Sequence, residues 1–345
     1  MEKEHTNPTL EDLAAHSGVS IATVSRVINA SGPVSEDAEK RVKQAIEALG
    51  FTPKRKRRRA RSRAPIIACI VPEFMNPANT MITTGVKEEA EKMNIHVFIV
   101  PVSEKPGSLH CNLNLLKHVS VDGVILAHLD VQPEDILSLC KSQELPMVAL
   151  KRNFSPLPIP CIDSDRENGM YQATKLLIGL NHRDIAYLAG VHNSDQAEAK
   201  LQGVQRALTE ANLTLKPEFY RKCFSTTDDG FRVATNLLQL PPTQRPTAII
   251  TYNDLVAIGA LHAIRSAGLT IPDDISVVGF DNIPLTSHSN PPLTTVAQPQ
   301  YQKGQLGVQK LLNWLNGEHV DYEGFTLLAC SLVVRETTGP CPPGP

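Results

Sequence analysis

No apolar run in this chain approaches the ~20 residues needed to cross a bilayer. The opening MEKEHTNPT has no apolar core of an export signal, so a soluble cytoplasmic protein is expected. Cysteine is sparse and scattered: Cys69, Cys111, Cys140, Cys161, Cys223, Cys330 and Cys341 form no C-x-x-C pair and have no histidine partner at ligand spacing. That argues against a disulfide framework or a zinc site and for small buried apolar side chains. The motifs G-x-G-x-x-G, G-x-x-x-x-G-K-[ST] and G-x-S-x-G are absent, and the histidines are dispersed. No catalytic residue, metal or cofactor is therefore expected.

At 345 residues the chain is long enough for two or three domains. Its formal charge of -2 conceals an imbalance. Residues 1–65 carry thirteen basic against eight acidic side chains, while the remainder carries 21 against 28. The basic excess concentrates in KRKRRRARSR, Lys54 to Arg63, where eight of ten residues are cationic. Such a block repels itself. It is either a solvated linker or a strap that closes on phosphate and releases counterions.

Ahead of this tract, Thr9 in TLED is placed to cap a helix with Asp12 in the return position of a capping box, and Leu10, Leu13 and Ala14 form its apolar stripe. Gly18 suits a left-handed stop. Ser20 then caps a second helix, in which Val24, Val27 and Ile28 face inward while Ala22, Ser25, Arg26 and Asn29 share the opposite stripe. A small polar face lets a helix approach a groove wall closely, and arginine offers guanine a forked pair of donors. Ser35 caps a third helix with Glu36 and Asp37 in its first turn, and Val42, Ile46 and Leu49 complete a three-helix core. Two helices about a glycine turn describe a helix-turn-helix, with a hairpin for protein contact as the alternative.

From Ala64 onward, β-rich runs alternate with helical periodicities. Strands are expected at 66–71, 96–102, 122–129, 146–150, 184–190, 219–224, 247–252 and 275–281, with helices between most of them. That rhythm gives two parallel-sheet lobes with a cleft between them.

The stretch TLEDLAAHSGVSIATVSRVINASGPVSEDAEKRVKQAIEALGFTP closely resembles the DNA-binding headpiece of the lactose-repressor (LacI/GalR) family of bacterial transcription regulators. DGVIL, LNHRDIAYLAG, YNDLVAIGALHAI, IPDDISVVGFDN, PPLTTVAQP and LVVRETTGP resemble the family's ligand-binding core, so the likeness spans about residues 9–339. It implies an all-α helix-turn-helix headpiece (1–53), a basic hinge (54–65), an α/β two-lobed domain like type I periplasmic binding proteins (66–339), and a disordered tail (340–345). The chain should cross between lobes three times, returning to the first near Pro299 to Gly317 before a last strand near Phe325 to Val334.

The resemblance also implies roles. Ile21, Ala22 and Arg26 meet base edges, with packing as the alternative role of Ile21, while Ser20, Thr23, Ser25 and Asn29 lie near phosphate. The hinge departs from the family, with Lys54 after Pro53, Arg57 where a small residue is usual, and Ala60 where a leucine wedge is expected. Arg55, Arg57, Arg58 and Arg59 are then expected to bind DNA by charge, along phosphates or in a narrow minor groove. In the cleft, Asn253 and Asp281 match positions that bond an effector, with strand-end capping as the alternative role. Phe231 matches a stacking aromatic, Lys200 replaces a gripping arginine, and Asn76 and Arg152 are further candidates.

The implied partners are a near-palindromic duplex operator, a small-molecule effector and a second copy of the chain. A sugar or sugar phosphate suits a cleft of Asn, Asp and Lys with one aromatic, and a purine-like corepressor is the alternative. The implied activity is transcriptional regulation, commonly repression. An α/β enzyme or a transport-type sugar-binding protein are the rivals from other classes.

Overall fold

Thr9 accepts a hydrogen bond from the Asp12 amide while Asp12 accepts one from the Thr9 amide, and this reciprocal cap starts α1 (Leu10–Ser17). Gly18 ends the helix at φ 65°, where a side chain would be strained. Ser20 opens α2 (Ile21–Asn29) by accepting from the Thr23 amide, and Ser35 opens α3 (Glu36–Leu49) by accepting from Ala38. Leu13, Val24, Val42 and Ala45 are fully or almost fully buried between the three helices, with Leu10, Val27, Ile28, Ile46 and Leu49 packed around them. A core this small makes each of those side chains count, at ~2–5 kcal/mol for a leucine-to-alanine change.

This computed structural model describes residues 8–29, 34–49, 51, 63–72, 76–102, 119–127, 145–150, 159–191, 194–318 and 325–343. The chain divides into two compact units, Met1–Ala60 and Arg61–Pro345. The second takes in the end of the expected linker: Arg63 pairs with Asp122 at 3.2 Å, and the Pro65 carbonyl accepts from the His96 amide.

That unit holds two six-stranded sheets. The first contains β1 (Ile66–Pro72), β2 (His96–Val102), β3 (Gly123–Leu126), β4 (Met147–Ala149) and β5 (Cys161–Asp165), with α4 (Pro77–Lys92) after β1. The second is built from α5 (Arg166–Gly179), β6 (Ile185–Gly190), α6 (Asp195–Glu210), β7 (Tyr220–Cys223), α7 (Thr227–Leu238), β8 (Ala248–Thr251), α8 (Asp254–Ser266), β9 (Ser276–Asp281) and β10 (Thr294–Ala297). The chain then returns through α9 (Gln300–Leu315), which packs against α4, to β11 (Phe325–Ala329) beside β5. It crosses once more into β12 (Ser331–Val333), antiparallel to β10. The spatial orders are β11-β5-β4-β3-β1-β2 and β12-β10-β9-β8-β6-β7.

Three crossings are present as expected, but the details differ in four places. Strands β5 and β10 were not anticipated: CIDSD and TTVA are short and rich in hydroxyls and carboxylates, so neither shows a hydrophobic run. The single last strand is two, one in each sheet, separated by the buried Cys330. The expected tail is anchored at its start, where the Cys341 amide donates to the Leu180 carbonyl at 2.8 Å. Cys69, Cys161, Cys223 and Cys330 are buried, and burial pushes the Cys69 and Cys223 thiols up to about 12. Cys111 and Cys140 lie outside the described residues.

Candidate functional site

On α2 the inward side chains are Val24, Val27 and Ile28, and the outward ones are Ile21, Ala22 and Arg26. The hydroxyls of Ser20 and Thr23 bond each other at 2.9 Å across the first turn. Ser25 is half-buried. The Asn29 side chain and Arg55, Arg57, Arg58 and Arg59 lie outside the described residues. On α3, the i,i+4 pairs Arg41–Asp37 and Lys43–Glu39 are exposed and contribute little to stability.

In the second unit, strand order reverses around β1 in one sheet and around β6 in the other, which places a crevice at the carboxyl ends of their neighbours. Asn76 follows β1 and caps α4 by accepting from the Ala78 amide. Its Nδ2 donates to Asp281 Oδ2 at 3.3 Å, from one lobe to the other. Asp281 ends β9 at φ 125° and Asn282 follows at φ 58°, both rare for residues with a side chain. Three groups hold that turn. Asp254 accepts from the Ile283 amide at 2.9 Å, Arg335 donates to Asn282 Oδ1 at 2.8 Å, and Gln298 Nε2 donates to Asp281 Oδ1 at 2.5 Å.

Asn253 caps α8 by accepting from the Val256 amide, and its Nδ2 donates to Ser225 Oγ. The capping role weighed for it from sequence is therefore real, and its amide also faces the β7 end. Asp254 is fully buried; burial and the neighbouring Asp281 charge push its carboxyl up to about 7, against the hydrogen bonds from Thr295, Ile283 and Asn282. Lys200 is buried too. Its Nζ donates to the Tyr252 carbonyl at 2.5 Å and stands 3.9 Å from the Phe280 ring centroid, and burial brings its ammonium down to about 8.

Phe231, the expected stacking aromatic, packs on the helix layer with its ring centroid 4.8 Å from that of His262. Two aromatics directly follow strands of the second sheet, Tyr252 after β8 and Phe224 after β7, and Phe224 has 59% of its surface exposed. The sequence reading passed over it because it closes the run FYRKCF, where an apolar residue reads as strand. Gln298 was missed likewise, although it directly follows TTVA in a named motif. At the first crossing, Arg166 pairs with Asp163 at 2.7 Å, and Lys303 reaches the same carboxylate oxygen at 3.4 Å. Arg152 lies outside the described residues. Among the described residues no group of His, Cys, Asp and Glu forms a metal site, and no helix is long and apolar enough to cross a membrane.

A helix-turn-helix unit in the same chain as a two-lobed α/β unit, with polar groups converging between the lobes, defines a ligand-responsive DNA-binding regulator. Residues 9–54 match the family model for bacterial regulatory proteins of the lacI family, and residues 174–338 match the periplasmic binding protein-like domain. The chain is 31% identical over 343 residues to the HTH-type transcriptional repressor CytR of Escherichia coli K12, covering 99% of each protein. Among solved structures it resembles the lac repressor dimer bound to operator and the anti-inducer ONPF, with 30% identity and a TM-score of 0.72 over 97% of this chain and 100% of that one. It also resembles a complex of the regulator CelR with cellobiose, with 31% identity and a TM-score of 0.70 over 96% and 100%. The chain belongs to the LacI family of transcription regulators.

Proposed function

We propose that this regulator is a cytoplasmic homodimeric repressor that holds a near-palindromic operator and changes its grip when a sugar or sugar phosphate enters the cleft. Two copies of α2 would enter successive major grooves about one turn apart, ~34 Å. Ile21, Ala22 and Arg26 face base edges, with Ser20, Thr23, Ser25 and Asn29 near phosphate. The basic tract Lys54–Arg63 connects headpiece to effector unit and follows the backbone by charge, with Arg55, Arg57, Arg58 and Arg59 central to it.

The observation that carries the cleft reading is Asp281. Its left-handed backbone presents a buried carboxylate to Asn76 of the opposing lobe, so a hydroxylated ligand between them would replace one interlobe bond with several. Asn253 and Lys200 supply amide and ammonium groups, Arg152 is a further contact, and Phe224 offers the apolar face that a sugar ring or a flat base stacks on. Ligand binding that draws the lobes together has a typical coupling of ~1–3 kcal/mol, changing operator affinity ~5–150-fold.

The test is selection of bound duplexes from a random pool with full-length protein, repeated with neutral sugars, sugar phosphates and purines. Symmetric enriched sites whose retention changes with a sugar or its phosphate support the reading. A response to purines alone replaces the effector class, and enrichment indifferent to every ligand removes the cleft from regulation.

A further inference from the structure

The crossings between the lobes carry buried polar side chains whose bonding capacity the fold does not exhaust. The first crossing runs through Ser164 and Arg166, from β5 into α5, and the second through Gln298 and Gln300, from β10 into α9. All four residues have only 3–7% of their surface exposed. Yet Ser164 Oγ, Arg166 Nε, Gln298 Oε1 and Gln300 Oε1 have no hydrogen-bond partner among the described residues. The segments lie together, since a Cβ on Gly169 of α5 would stand 2.9 Å from Val296 of β10 and 3.0 Å from Cys330 of the third crossing. An unpaired buried polar atom is costly, and four on neighbouring segments mark a place that a further group completes.

Cations converge on the same place. Arg166 and Lys303 meet on one oxygen of Asp163, at 2.7 and 3.4 Å, and the Ser164 amide donates to that oxygen at 2.8 Å. Burial pushes the Cys330 thiol up to about 11, while Arg166, Lys303 and Lys200 draw it down and Asp165 raises it. Cationic side chains from α5, α9 and α6 therefore surround the third crossing. Gln298 ties this cluster to the cleft, because its Nε2 donates to Asp281 Oδ1. The cluster stands at the closed end of the cleft, where the lobes are joined.

The unpaired atoms divide by chemistry. Arg166 Nε is a donor and Ser164 Oγ can donate, whereas the two glutamine oxygens are acceptors. A neutral sugar would bring hydroxyls to the glutamines but no negative charge to the cations. Resting on the cleft reading above, we infer that the effector carries an oxyanion, a phosphate or a carboxylate, which sits on Arg166, Ser164 and Lys303 at the closed end of the cleft, with neighbouring hydroxyls on Gln298 and Gln300. Asp163 keeps the guanidinium in place from its other side, and the hydroxylated remainder of the ligand reaches Asp281 and Asn76. These residues then select effectors by charge, since hydrogen bonds from a cation to an oxyanion are about twice as strong as neutral ones.

The experiment titrates full-length protein calorimetrically, at one ionic strength, with ribose and glucose each offered as the neutral sugar, its aldonic acid and its terminal phosphate. An acid or a phosphate should bind about ten-fold or more tightly than its parent sugar, the lower end of what a hydrogen bond to a charged group contributes. The two anionic arms tell carboxylate from phosphate. Ser164→Ala should cut that preference about five-fold, and Arg166→Gln should abolish it. Each is read as the ratio of anion to parent-sugar affinity within one variant, so a general loss of fold does not mimic the result. Neutral sugars bound as tightly as their acids and phosphates, or a ratio unchanged in both variants, overturn the inference and leave the cleft reading standing. Failure of all six compounds to bind removes the sugar reading itself, and this inference with it.

Discussion

Two phenylalanines seven positions apart separate packing from recognition. Phe231 sits against His262 and the helix layer, so Phe231→Ala should lower stability in urea melts by ~1–2 kcal/mol and leave the ligand-dependent change in operator affinity intact. Phe224 is exposed, so Phe224→Ala should change stability by less than ~0.5 kcal/mol while weakening that ligand response. Equal loss of the response in both variants would contradict the assignment. The sequence could not tell them apart, because an aromatic just before a helix and one in its first turns both follow closely on the same strand end. Only the direction of the ring decides, and that is a tertiary property. That Asn253 and Asp281 stand at the ends of parallel strands, by contrast, was legible through the resemblance of the YND and GFD motifs.

Two buried groups give stability opposite dependences on pH. Burial holds the His182 ring below its ordinary value, between Thr247, Ser276 and the Gly339 carbonyl. The unfolded chain then binds the proton more tightly, so this contribution is present above the ordinary histidine pKa and is lost as pH falls through the folded one. Asp254 is raised to about 7, so its contribution is present below the ordinary carboxylate range and lost as pH rises through about 7. Urea melts across pH 5 to 8 should show a flatter acid side in His182→Gln and a flatter alkaline side in Asp254→Asn.

At the scale of elements, helix pairs are joined through glycines. A Cβ on Gly259 of α8 would meet the Thr227 carbonyl oxygen at 2.1 Å, and one on Gly85 of α4 would meet that of Tyr301 at 2.1 Å. Gly203 of α6 stands likewise against the Glu167 carbonyl. The colliding atoms are backbone, so they cannot rotate away. Gly259→Ala or Gly85→Ala should therefore destabilise the unit by ~2–3 kcal/mol in denaturant melts. In the headpiece, Thr9→Ala removes the cap of α1 and should cost ~1 kcal/mol. Caps and apolar stripes made these helices readable, since both are local in sequence. Strands β5 and β10 were not, because their stability comes from neighbours on either side in the sheet and not from their own composition.

On the proposed reading, the charge imbalance between the first 65 residues and the remainder is a lever on DNA affinity at the scale of the whole molecule. Replacing Arg55, Arg57, Arg58 and Arg59 with alanine should reduce the slope of log affinity against log salt by about 3–4, if each neutralises one phosphate. An unchanged slope would mean that the tract contributes only length. The third crossing has a different consequence. Residues 325–333 supply an edge strand to the first sheet and then, after Cys330 alone, an edge strand to the second. During synthesis neither lobe can be completed before the other, and a product clipped or terminated ahead of Phe325 has two ragged sheets and no intact half. Truncated copies should therefore be cleared by proteolysis and not persist as headpieces that occupy operators without answering to a ligand.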